Sequence, residues 1–358
     1  MALSLKNISL RVDGQIHIYD TTLDLAPSGF NILLGTTLAG KTTLMRLMAG
    51  LVQPTTGEIW FNGKNVTGVP VQQRNVSMVY QQFINYPNLN VFENIASPLK
   101  LAGFSAAEIK KRVESVSELL HLDQFLVRKP AELSGGQQQR CAMARALVKD
   151  SDLVLLDEPL ANLDYKLREE LREELPKLFA SRERTVVYAT TEPSEAMLLA
   201  GHTATMHEGR ITQFGPTAEI YRKPVDKLTA GVFSDPPINT IQVTKKGNHF
   251  SISGGTAWEA HGAYQGLSDG VYELGVRPHH VLPVNGGTEG AVVDGIVHVA
   301  EISGSESMVH FDLQGASWVS LAHGVHSFDV GQSARFQIEV DHSMLFSTQG
   351  DLVAALGD

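Results

Sequence analysis

Gly35-Thr36-Thr37-Leu38-Ala39-Gly40-Lys41-Thr42 follows the apolar run Asn31-Ile32-Leu33-Leu34 and opens a helical pattern at Lys41. No other segment restricts the fold as strongly. A loop of the form G-x-x-x-x-G-K-[ST] between strand and helix lets backbone N–H groups curl around one anion, with the helix N-terminus adding its dipole. The strand must then lie in a buried sheet and the helix must pack back onto it, which predicts an α/β layer structure. Gly35, Thr36, Thr37, Leu38, Ala39 and Gly40 are expected to wrap the phosphates. Lys41 would neutralise the outer two, and the Thr42 hydroxyl, with Thr43 beside it, would face Mg²⁺.

The rest of the N-terminal region agrees with that demand. Leu153-Val154-Leu155-Leu156 is a second buried strand, and it delivers Asp157 and Glu158 to the sheet's C-terminal edge, where open α/β folds bind ligands. Asp157 offers an oxygen to a divalent cation, and Glu158 can orient or deprotonate an attacking water. Further strands are expected at Ser77–Tyr80, Thr185–Ala189 and Thr203–His207, with a turn at Glu208-Gly209-Arg210. Helices are expected over Val91–Leu101, Ala106–Leu120, Gly136–Val148 and, densely charged, Tyr165–Arg182. Composition changes at Pro236-Pro237. Residues 1–235 carry 25 basic and 26 acidic side chains, whereas 236–358 carry 4 and 13 and break into short glycine-bounded strands. Two domains follow: 1–235, the α/β domain, and 236–358, a small all-β barrel or sandwich. One cysteine, Cys141, excludes internal disulfides and fits a reducing compartment. No apolar stretch reaches the roughly 18 residues of a membrane span, and the opening residues lack an export signal.

Leu133-Ser134-Gly135-Gly136-Gln137-Gln138-Gln139-Arg140, about twenty residues before Asp157, resembles the signature of ATP-binding-cassette (ABC) ATPases. In physical terms it is a second anion-binding helix N-terminus, here without a lysine. The resemblance implies that Ser134, Gly135, Gly136 and Gln137 close on ATP held by an opposite cassette. It makes Gln81 a sensor of Mg²⁺ and water that touches a membrane subunit, and Leu160-Ala161-Asn162-Leu163-Asp164 a segment crossing the cassette interface. Phe214-Gly215-Pro216, Ile220–Pro224 and Gly275-Val276-Arg277-Pro278 look like ATPases of carbohydrate and polyol importers of the maltose and glycerol-phosphate type. The implied architecture is an α/β P-loop ABC ATPase domain followed by an OB-like, TOBE-like regulatory barrel. The implied partners are a second cassette, two transmembrane permease subunits and a periplasmic or extracellular substrate-binding protein. The implied place is the cytoplasmic face of the membrane, and the implied cargo a sugar, a polyol such as glycerol, or glycerol phosphate.

Three positions depart from the family pattern. Leu38 stands where glycine is usual, Val12 where an aromatic stacks on adenine, and Thr191 where a histidine reaches the γ-phosphate. His17 and Tyr19 are the alternatives for the base. All three changes belong to one half-site, while Ser134–Gln137 and Asp164, lent to the other, are intact. The expectation is a partly degenerate site of its own and pairing with a different cassette. The alternatives are a homodimer that hydrolyses normally and a mainly non-catalytic cassette that completes a partner's site. Nine of the 13 histidines lie after residue 236 without the spacing of a zinc site, and the acidic barrel would repel nucleic acid.

Overall fold

Runs such as Leu153–Asp157 and Thr185–Thr190 are buried along their whole length, which only a sheet covered on both faces allows. In the computed structural model, which describes residues 3–161, 163–180, 184–253, 255–284 and 291–356, these runs form a six-stranded sheet. Its order is Arg210–Pro216, His202–His207, Gly29–Leu34, Thr185–Thr190, Leu153–Asp157, Val76–Val79. Every pair is parallel except the first, a hairpin through Glu208-Gly209. Register sets Leu34 beside Thr190 and Asp157 beside Ala189. Three strands therefore end together at one sheet edge, where the phosphate loop, the acidic pair and the Thr191 segment all begin.

Helix Lys41–Ala49 buries Leu44, Met45, Leu47 and Met48 in the core shared with this sheet. A second sheet, antiparallel in the order Gln15–Asp24, Leu3–Val12, Thr56–Phe61, Lys64–Asn65, contributes Leu3, Leu5, Ile8 and Ile18 to the same core. The sequence reading did not foresee this sheet. Its first hairpin slips register at three places, so inward and outward residues do not alternate cleanly. The Asp13-Gly14 turn, both residues at positive φ, was the available signal. The helices Val91–Leu101 and Ala106–Leu119 begin at reciprocal caps, Asn90 with Glu93 and Ser105 with Glu108. The charged helix is described over Tyr165–Ala180, and the expected Arg182 end lies outside the described residues.

The chain divides into two units, Met1–Thr217 and Ala218–Asp358. That division comes earlier than the compositional change at Pro236, because short helices at Thr217–Arg222 and Lys227–Val232 belong with the second unit. Asp226 caps Thr229 and bridges to Asp351, and Ala230 packs on Met344 and Phe346. The remainder of this unit is two antiparallel sheets of six and five strands around one core of Phe250, Phe311, Trp318 and Phe336. Asn239 joins them by donating to the Val319 carbonyl and accepting from its N–H, and the Trp318 indole donates to the Thr240 carbonyl. The result is the expected OB-like barrel. Among the described residues no helix is long and apolar enough to cross a membrane.

Candidate functional site: a phosphate loop facing an acidic strand end

The loop from Gly35 to Gly40 is held tightly at both ends. The Gly35 N–H donates to the Thr190 carbonyl at 3.3 Å, and a Cβ on Gly35 would sit 2.4 Å from the Met206 carbonyl oxygen. Gly40 has φ 102°, and a Cβ there would meet the Ile18 side chain at 3.1 Å. Only glycine fits either place. Because no side chain caps helix Lys41–Ala49, its leading N–H groups stay open to an anion. Leu38 adopts φ 69°, a left-handed conformation costly for a residue with a Cβ, and is 94% exposed.

Lys41 is 5% exposed and donates from Nζ to the carbonyls of Gly35 at 2.7 Å and Thr36 at 3.1 Å. Its Nζ is also 3.4 Å from Glu158 Oε1. Burial lowers the Lys41 pKa, and the charges of Glu158 and Asp157 oppose that shift. Asp157 is 1% exposed, and apart from the adjacent Thr42 hydroxyl its carboxylate has no hydrogen-bond partner. Burial raises its pKa, while the neighbouring Thr42 hydroxyl pulls the other way. A buried carboxylate whose only polar neighbour is a hydroxyl, itself able to turn an oxygen to the same ion, fits a hard cation such as Mg²⁺. Glu158, at φ 46°, is held from two sides, by Lys41 and by the Gln81 amide, which donates to its Oε2 at 2.9 Å. Gln81, Lys41 and Glu158 all line a cavity of about 520 Å³ over the loop, with His17, Tyr19 and Leu38.

Thr191 is exposed just beyond the strand end and is not part of the cavity wall. The groups around it form a network that the sequence reading missed. Thr190 donates to the buried Glu195 at 2.6 Å and accepts from the Glu192 N–H at 3.0 Å. Tyr188 and Arg172 also donate to Glu195, at 3.0 and 3.2 Å. Arg168 donates to Glu192 at 3.0 Å and to the Ala161 carbonyl at 3.2 Å, so one guanidinium ties the segment after Glu158 to that holding Thr191. In the sequence, Arg168 and Arg172 are two of the many charges of the densely charged helix. Only the packing of Pro193–Leu199 against their helix turns them inward.

Residues 18–161 match the ABC transporter family model. Over 311 residues the chain is 37% identical to the sn-glycerol-3-phosphate import ATP-binding protein UgpC of Escherichia coli (strain K12), covering 86% of this chain and 87% of that protein. This chain belongs to the ABC transporter ATP-binding subunits. The UgpC proteins of Shigella boydii serotype 4 and Salmonella typhimurium match with the same identity and coverage. Among solved structures, the ATP-binding cassette MJ0796, bound as a dimer to ADP and Pi, aligns at TM-score 0.55 and 28% identity, covering 60% of this chain and 98% of the other. A second dimeric structure of that bacterial cassette aligns at TM-score 0.56. The family is one of transport ATPases that bind ATP and work as cassette pairs on transmembrane permeases.

At the base end of the cassette, Val12 pairs with Gln15 across the hairpin and is absent from the cavity wall, whereas Gln15, Ile16, His17 and Tyr19 line it. The Tyr19 ring already carries the Arg210 guanidinium, 3.4 Å from its centroid. One face of Tyr19 is therefore already occupied, while Ile16 and His17 line the same wall. The signature lies elsewhere. Ser134 caps helix Gly135–Leu147 reciprocally with Gln137 and is exposed with Gly135, and Ser134–Gln137 are not in the cavity wall. Gln139 donates to the Pro159 carbonyl at 2.7 Å, joining the signature helix to the segment that follows Glu158. Asp164 accepts from the Leu167 N–H at 3.0 Å, while Asn162 lies outside the described residues.

Proposed function

We propose that this chain is the energy-coupling subunit of an importer for glycerol 3-phosphate or a related sugar or polyol, working at the cytoplasmic face of a membrane through permease subunits and a substrate-binding protein. The observation that carries the reading is the 37% identity to UgpC along 86% of the chain, a span too long to be confined to the first unit. Gly35–Gly40 and the open helix N-terminus grip the phosphates. Lys41 leaves the Gly35 and Thr36 carbonyls for the outer phosphates, and that move releases Glu158. Thr42 and Asp157 would hold Mg²⁺, with Gln81 close by, and the ion would supply positive charge to offset the negative charge of the phosphates. Glu158, once free of Lys41, orients the attacking water. Ser134, Gly135, Gly136 and Gln137 act on the opposite cassette's nucleotide.

A second reading concerns which site turns over. Thr191 carries no imidazole and Leu38 strains the loop, whereas the exposed signature keeps its helix cap. These features favour pairing with a different cassette, in which this chain's own site is slow or mainly structural and its signature completes the partner's. The experiment is ATPase activity of the assembled transporter carrying Glu158→Gln here or the matching change in the paired cassette, together with Thr191→His. Turnover that survives Glu158→Gln but not the partner's change, and rises with Thr191→His, supports the degenerate site. Loss of turnover with Glu158→Gln, or isolation of a complex with a single cassette species, overturns it.

A further inference from the structure

Within the second unit, two tight turns bring together side chains that the transport reaction does not use. Pro278–His280 and Val340–His342 are each a single 3-10 turn, closed by His280 N–H to the Arg277 carbonyl and His342 N–H to the Glu339 carbonyl, both at 3.0 Å. The Glu339 N–H donates to the His280 carbonyl at 2.9 Å, so the turns fix each other's backbone. On this frame His280 Nδ1 lies 2.8 Å from Glu339 Oε2, and the His280 and His342 rings stack with centroids 4.4 Å apart and planes 11° apart. One ligand atom from each of His280, Glu339 and His342 lies within 4.8 Å of the other two. His280 and Glu339 are half-buried and His342 is exposed, which leaves an open approach. Arg277, the cation of this neighbourhood, is committed elsewhere, donating to the Tyr221 carbonyl at 2.6 Å and lying over the Tyr221 ring.

We propose that His280, His342 and Glu339 form a binding site for one divalent transition-metal ion of the zinc class. Two imidazoles and one carboxylate are the donor set of an open tetrahedral site, whose fourth position goes to water. Hard cations such as Ca²⁺ prefer six or more oxygens, which these turns do not supply. Binding needs side-chain rotation only: the His280–Glu339 hydrogen bond opens and the three groups turn their lone pairs onto the ion, while the paired turns keep the backbone in place. The sequence conceals the site because Glu339 and His342 follow His280 by some sixty residues and meet it only through the antiparallel pairing of Val281–Pro283 with Ser333–Ile338.

Titration of the tag-free full-length chain with ZnCl₂ in a non-chelating buffer, followed by calorimetry, tests the site. One equivalent of saturable binding is expected, and tetrahedral Co²⁺ should give its visible d–d bands in the same stoichiometry. His342→Ala, an exposed position whose truncation leaves the fold intact, should weaken binding at least tenfold, and Glu339→Gln should do the same. His323→Ala, removing an exposed histidine of the same unit, should leave binding unchanged. Absence of saturable binding, or equal loss in His342→Ala and His323→Ala, would mean scattered surface histidines and overturn the proposal.

Discussion

Asp157 shows how one residue carries a conflict between folding and chemistry. Its carboxylate is buried with only the Thr42 hydroxyl to set against the loss of water, and burial raises its pKa. A raised carboxyl pKa means that the ionised form is worse off folded than unfolded. The resulting loss of stability begins near the unfolded value of 3.8 and grows as pH rises through the folded pKa. Asp157→Asn is therefore expected to raise the melting temperature of the nucleotide-free protein at pH 7 by roughly 2–4 °C, the size of ~1 kcal/mol in a domain of this length. The gain should vanish toward pH 4, and Mg²⁺ with ATP should no longer stabilise the variant. Melting curves across pH, with and without Mg²⁺ and ATP, check both. A variant that melts lower at pH 7 would show that the Thr42 hydroxyl already satisfies the carboxylate. The motif and strand context made this residue legible as a candidate metal ligand, whereas its burial with only the Thr42 hydroxyl beside it is a property of the packed site.

At the scale of elements, Ser134 does two jobs that can be separated. It caps helix Gly135–Leu147 through the Gln137 N–H, and it is the exposed tip of the surface that a neighbouring cassette would meet. Ser134→Ala removes the cap and should cost about 1 kcal/mol. Ser134→Asp keeps a capping oxygen and adds a favourable charge at a helix N-terminus, so its thermal stability should equal or exceed the wild type. That same charge would face phosphate across the cassette interface. ATPase activity of the assembled transporter should fall at least tenfold in Ser134→Asp, and more than in Ser134→Ala. Equal activities would detach the serine from the nucleotide. Sequence pattern placed this helix to within a residue at each end, because a serine, glycines and a glutamine three residues on are local signals. The Leu3–Val12 and Gln15–Asp24 hairpin was missed for the opposite reason: its register slips blur the period that would have announced it.

On the scale of the whole molecule, the boundary between units is set by contacts that composition cannot see. Residues 218–235 look like a continuation of the first unit, yet Ala230 packs on Met344 and Phe346, and the Lys227 ammonium lies 2.8 Å from the Glu273 carboxylate. A fragment of residues 218–358 is expected to fold cooperatively, whereas 236–358, which strips the cover from Met344 and Phe346, should melt at least about 5 °C lower or aggregate. Calorimetry of the two fragments decides, and equal melting would return the boundary to Pro236. The sequence by itself determined the α/β layer, the phosphate loop, the order of the sheet-edge carboxylates and the cassette signature, since each rests on neighbours a few residues apart whose spacing is read directly from the chain. Tertiary structure alone decided the rest: that Lys41 and Gln81 both hold Glu158, that Arg168 joins Ala161 to Glu192, that Arg210 covers Tyr19, and that His280 meets His342. Those contacts link residues far apart in the chain, and only strand pairing, register and packing fix which distant side chains arrive together.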